Sequence, residues 1–83
     1  MKKQKYILIV PEHIYTIHLE DFILQKLHME LNGDGFNSIK YISNRKPRRL
    51  KERILKNFGT CVWNRIIFFK GDEDYENQTR FCN

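Results

Sequence analysis

Between residues 45 and 56 the chain reads RKPRRLKERILK, seven cationic side chains against one acid. Four of these, Arg45, Arg48, Arg49 and Arg53, are arginines within nine residues. Arginine presents a planar fork that matches phosphate oxygens, and its face stacks on bases. A helix with an ordinary wet side mixes charges and gains a few tenths of a kcal/mol from each i,i+4 pair, roughly 0.2–0.5. Here Glu52 can meet Arg48 or Lys56, and the other cations have no local partner in the sequence. The spacing therefore predicts a phosphate-binding face built from Lys40, Arg45, Lys46, Arg48, Arg49, Arg53 and Lys56, extended by the lysines at 2, 3 and 5. The competing reading is a solvated helix face, neutralised by the acidic run Asp72–Glu76 folding back.

RNA is the expected partner in preference to duplex DNA. The basic helix is short, and its outer face lacks Asn or Gln placed to read base edges. Tyr41 before it and Trp63 after it are candidate stacking surfaces for unpaired bases. For Trp63, Phe68 and Phe69 the alternative is burial in the core. No RNP1-like sequence or GXXG signature occurs.

His13, His18 and His28 are the residue type most used for general acid–base work, with Glu12, Glu20 and Asp21 as sequence neighbours. Ribonuclease chemistry needs a base and an acid converging on one phosphate, and no spacing here forces that. The histidines lack metal-ligand order and the cysteines lack a CxxC partner. The expectation is a protein that is not an enzyme and holds no cofactor or metal. A basic inhibitor docking on an acidic or nucleic-acid-binding site of a host enzyme, without RNA, is the alternative. Self-association through a short edge strand at 79–82 would make a homo-oligomer.

The elements that must position these groups follow from apolar periodicity. Lys5–Val10 is β-branched and aromatic, closed by Pro11, and predicts a strand. Residues 13–18 fit either a second strand or an early helix. From Leu19 the spacing of Phe22, Ile23, Leu27 and Leu31 predicts a helix, stopped by Asn32-Gly33-Asp34-Gly35. Phe36–Ile42 reads as a strand. Pro47 suits a helix's first turn, Leu50, Ile54, Leu55 and Phe58 form an apolar stripe, and Gly59 is placed to end it. On a wheel of about 100° per residue, Arg49, Arg53 and Lys56 fall opposite that stripe. Cys61–Phe69 reads as the strongest strand. Each helix is long enough to cross between parallel strands. The expected fold is α+β, a small sheet of three to four strands with two helices packed on one face.

With 83 residues there is room for a single domain, 1–83. Charged residues at 30% and apolar ones at 41% suit a folded chain rather than a disordered one. The net charge of +5 directs attention to acidic partners. No apolar run reaches the length of a membrane span. MKKQKYILIVPEH mimics a signal peptide, but its apolar run stops at Val10-Pro11 without a cleavage site, which predicts a cytoplasmic protein with Cys61 and Cys82 reduced. On that expectation the acceptor pattern Asn77-Gln78-Thr79 carries no sugar.

In its size, its Lys/Ile/Asn/Phe-rich usage, the lack of an export signal and the block Arg45-Lys46-Pro47-Arg48-Arg49, the chain resembles the small early counter-defence proteins of T-even bacteriophages. Within that group it is most similar to the TifA-type RNA-binding inhibitors of the ToxN endoribonuclease toxin. The resemblance implies an antitoxin-like protein in the host cytoplasm. Such a protein binds RNA and a host toxin ribonuclease together and blocks cleavage of phage messages. The basic residues of the block are the ones it carries over.

Overall fold

The computed structural model describes residues 4–72. Four strands, β1 (Gln4–Pro11), β2 (Glu30–Gly35), β3 (Ser38–Ser43) and β4 (Ile67–Asp72), form one sheet in the order β2-β3-β1-β4. Three helices, α1 (Ile17–Asp21), α2 (Leu50–Phe58) and α3 (Thr60–Arg65), complete an α+β fold. All neighbouring strands are antiparallel. The helix-linked strands β1 and β2 do run parallel, as do β3 and β4, but another strand lies between each pair. The crossovers expected between parallel neighbours are thus split βαβ units.

Alternation along the strands sorts the sheet into two faces. Leu8, Val10 and Tyr41 face the helices and join Leu19, Ile23, Leu27, Met29, Leu50, Ile54 and Ile66 in the core. Ile7, Ile9, Lys40, Ile42, Ile67 and Phe69 occupy the opposite face by register. Phe22 and Phe58 meet edge-on at 5.3 Å and join the first helical segment to α2. Edge-to-face pairs of this kind add about 0.5–1.5 kcal/mol beyond area burial.

The ambiguous segment 13–18 resolves as neither strand nor continuous helix. Glu12–Ile14 is a 3-10 turn, and Thr16 is extended, its hydroxyl accepting from the Leu19 amide at 3.0 Å. That N-cap, a residue type favoured for satisfying the first free amides, starts the helix at Ile17. The helix continues as a π-helical segment, Phe22–Lys26, and stops at His28, whose φ of +58° is left-handed. His28 is thus the terminator expected at Asn32–Gly35. The latter residues instead form edge strand β2, with a register shift between Leu31 and Gly33, and Phe36-Asn37 turns the chain into β3. Gly33 at φ +137° takes the conformation that the irregularity requires.

The strand expected over Cys61–Phe69 begins only at Ile67; Thr60–Arg65 is helical. Gly59, with φ +94°, closes α2 by donating to the Ile54 and Leu55 carbonyls and turns the chain straight into α3. Val62, Trp63 and Ile66 then reach the core at helical spacing, and this packing overrides the β preference of the local residues. The acidic run beyond Asp72, Cys82 and the edge strand expected at 79–82 lie outside the described residues; Cys61 is exposed.

Candidate nucleic-acid interface

The topology brings the end of the first helical segment, the start of β2 and the end of β3 to one edge of the sheet, where the loop 44–49 leads into α2. A cleft of about 630 Å³ opens there, with Lys26, His28, Glu30, Arg45, Lys46, Arg48 and Arg53 among its walls. A second hollow of about 470 Å³ adjoins it, sharing Lys26 and Arg53 and adding Arg49, Glu52 and Lys56. Seven cations therefore converge on one groove that carries two acids, Glu30 and Glu52.

The loop is shaped by local hydrogen bonding. The Ser43 hydroxyl donates to the Arg45 carbonyl at 2.8 Å and accepts from its amide at 3.1 Å, which folds the chain sharply as β3 ends. Pro47 is buried and wedges the loop's middle into the protein, leaving Arg45, Lys46 and Arg48 exposed on either side. Pro47 sits ahead of α2 rather than in its first turn. Arg49 precedes the helix at φ +53°, a left-handed conformation that costs a side-chain-bearing residue about 1–2 kcal/mol. Its guanidinium lies 3.7 Å from Glu52, with both side chains well exposed, a geometry worth little in water.

Arg53 has a different role from the one its place on the helical wheel suggests. It is half-buried, 5.5 Å above the Phe22 ring. It donates to the Lys26 carbonyl at 3.0 Å and to the Arg48 carbonyl at 3.3 Å. It therefore satisfies a carbonyl at the end of the π-helical segment and pins the basic loop to it. Cations at a helix C-terminus are stabilising in this way. Asn57 completes the arrangement by donating to the Arg53 carbonyl at 2.8 Å.

Three of the residues expected in the site lie elsewhere. Lys40 pairs with Ile9 and Gly33, on the sheet face away from the helices. Tyr41 is fully buried in the core, its hydroxyl 3.3 Å from Glu20 Oε2, and offers no stacking surface. Trp63 packs against the core from α3 and lines neither hollow. Burial first, and then the Glu20 carboxylate, push the Tyr41 phenol well above its usual range. Tyr15 donates to Glu20 Oε1 at 2.7 Å, and that bond is the main reason its own phenol is raised.

Sequence reasoning missed Lys26, His28 and Glu30. Their only local signal is a lysine in the last turn of a helix, and their approach to the loop depends on the order of the strands. His13 and His18 are exposed and lie outside the groove. Among the described residues no group of three or more His, Cys, Asp or Glu side chains is placed to hold a metal ion. No helix among them is long and apolar enough to cross a membrane. No protein-family model matches the chain, nor does any curated protein or solved structure.

Proposed function

We propose that the chain binds single-stranded or looped RNA along this groove through its phosphates. The observation that carries the reading is the convergence of Lys26, Arg45, Lys46, Arg48, Arg49 and Lys56 on one surface, beside a seventh cation, Arg53, that is committed to backbone carbonyls. Phosphate contacts position a nucleic acid without reading its sequence. With Tyr41 in the core and Trp63 outside the groove, the expected binding is tolerant of sequence, and stacking comes from arginine planes. A nine-residue α2 is short for a major-groove reader, which favours RNA over duplex DNA.

The resemblance to TifA-type inhibitors extends the proposal. In the host cytoplasm, RNA held in the groove would be engaged by a toxin endoribonuclease at the same time, and the complex would keep the toxin from other messages. No residue of the proposal performs catalysis. The test is purification from cells with and without ribonuclease and high salt. Co-eluting RNA that high salt releases supports the reading. Protein free of RNA, and failing to bind added RNA at low salt, overturns it. Retention of a protein partner after ribonuclease treatment of such a preparation identifies a purely protein-docking inhibitor instead.

A further inference from the structure

Phe36, at the tip of the β2–β3 hairpin, is 93% exposed. A lone apolar residue in water is ordinary, but this one occupies a turn, where Gly, Asn, Asp and Ser are favoured. It neither packs nor helps the chain to turn, since Asn37, at φ +60°, takes the left-handed position. The tip is also firmly held. Gly35 and Ser38 pair across it, and the Glu12 amide donates to the Asn37 carbonyl at 2.9 Å. A tip already ordered in this way loses little entropy on meeting a partner.

The surroundings of the tip are acidic. Glu12 and Asp34 are exposed, and among the described residues neither carboxylate has an ion-pair partner. Lys40, the single cation of the hairpin, is itself engaged. The basic cleft lies at the other end of the same hairpin. Strand β2 runs about 17 Å from Glu30 at the cleft to Gly35 beside the tip. Leu27, Ile42 and Pro47 give the cleft apolar wall among its cations. Its volume of about 630 Å³ lies within the range of roughly 300–1,000 Å³ that encloses a small ligand. An aromatic side chain beside two carboxylates and an apolar cleft among cations are complementary. They sit at opposite ends, so a molecule cannot fill its own cleft.

We infer that the hairpin tip of one copy docks in the basic cleft of a second copy, head to tail, through Phe36. Glu12 and Asp34 then face the cations of the cleft, and Leu27, Ile42 and Pro47 receive the ring. The contact joins two different surfaces, so every pair keeps one tip and one cleft free and further copies can add. A single tip buries less than the roughly 800 Å² per partner of a standard interface, so the association is weak and rises with concentration. RNA is a poorer occupant for Phe36 itself, because the neighbouring acids repel phosphate. Resting on the proposed function, a further consequence is that RNA and the tip compete for one cleft.

The test is sedimentation of the RNA-free full chain over a concentration series, at low and at high salt. At near-millimolar concentration the wild type should exceed the mass of one chain at low salt and return to it at high salt. Phe36→Ser should stay monomeric throughout with an unchanged melting curve, because the side chain is exposed. A chain with Arg45→Ala, Lys46→Ala and Arg48→Ala should also stay monomeric. Mixed in equal amounts, these two variants should form a dimer and nothing larger, since one keeps the cleft and the other the tip. A short RNA oligonucleotide should return the wild type to single chains. The inference is overturned by a wild type that is monomeric at low salt, by Phe36→Ser associating as the wild type does, or by a mixture that stays monomeric. RNA that binds and leaves the association intact also overturns it. Absence of RNA binding by Phe36→Ser, whose cleft is unfilled, would count against the proposed function and leave the association in place.

Discussion

The loop 44–49 and helix α2 are both basic in sequence, with four cations in the loop and three in the helix, but the fold uses them differently. In the loop, a serine hydroxyl and a buried proline hold the backbone and leave Arg45, Lys46 and Arg48 exposed. In α2, Arg53 gives its guanidinium to two carbonyls and an aromatic ring. Charge density alone does not separate a cation that binds a ligand from one that binds its own protein. The partners of each side chain do, and the two kinds should respond in opposite ways to substitution.

The largest effect is expected in the loop. Arg45→Ala, Lys46→Ala and Arg48→Ala together should weaken RNA binding about 100-fold or more at low salt and make the salt dependence shallower by about two units of slope. Thermal unfolding should be unchanged, because the three side chains are exposed. Fluorescence anisotropy and a melting curve read both sides of that statement.

Arg53→Ala should show the reverse pattern, a loss of about 2 kcal/mol in urea denaturation from its carbonyl bonds and ring contact. Arg53→Lys should recover little of it, since an ammonium lacks the fork that spans two carbonyls. Full stability of either variant would return Arg53 to the surface set.

Away from the groove, Tyr41→Phe should cost about 1 kcal/mol by removing the bond to Glu20. It should also change the alkaline limb of stability. The folded state raises the Tyr41 phenol, so its contribution is fully present below the unfolded value near 10 and fades as pH rises through the higher folded value. The wild type should therefore lose stability above about pH 10 more steeply than Tyr41→Phe. Parallel curves would show that another group governs the limb.

Arg49→Gly is the smallest and sharpens the comparison most. Glycine accepts φ +53° without a Cβ penalty, so stability should hold or rise by less than about 1 kcal/mol. RNA affinity should fall by no more than about tenfold, the share of one phosphate contact.

Helix α2 was legible because Leu50, Ile54 and Phe58 repeat every four residues before a glycine, and the loop cations because they are contiguous and exposed. Strand β1 was legible from its β-branched run. The β2–β3 hairpin was hidden by Asn32-Gly33-Asp34-Gly35, which reads equally as a helix stop or an irregular edge strand. Helix α3 was hidden by residues that prefer strands, and only contact of Val62 and Trp63 with the core reveals it. Tyr41 was misplaced because the face of a strand is set by its pairing partners, and Lys40 went with it. The part that Lys26 and His28 play depends on strand order, which has no local signature.

The central claim is tested most directly by titrating single-stranded RNA against the intact protein over a series of salt concentrations. The account requires tight binding at low salt, with log K falling linearly against log salt at a slope of about −3 to −4, the value for roughly five neutralised phosphates. Binding that is absent at low salt, or indifferent to salt, would contradict it and leave the groove as a surface for a protein partner.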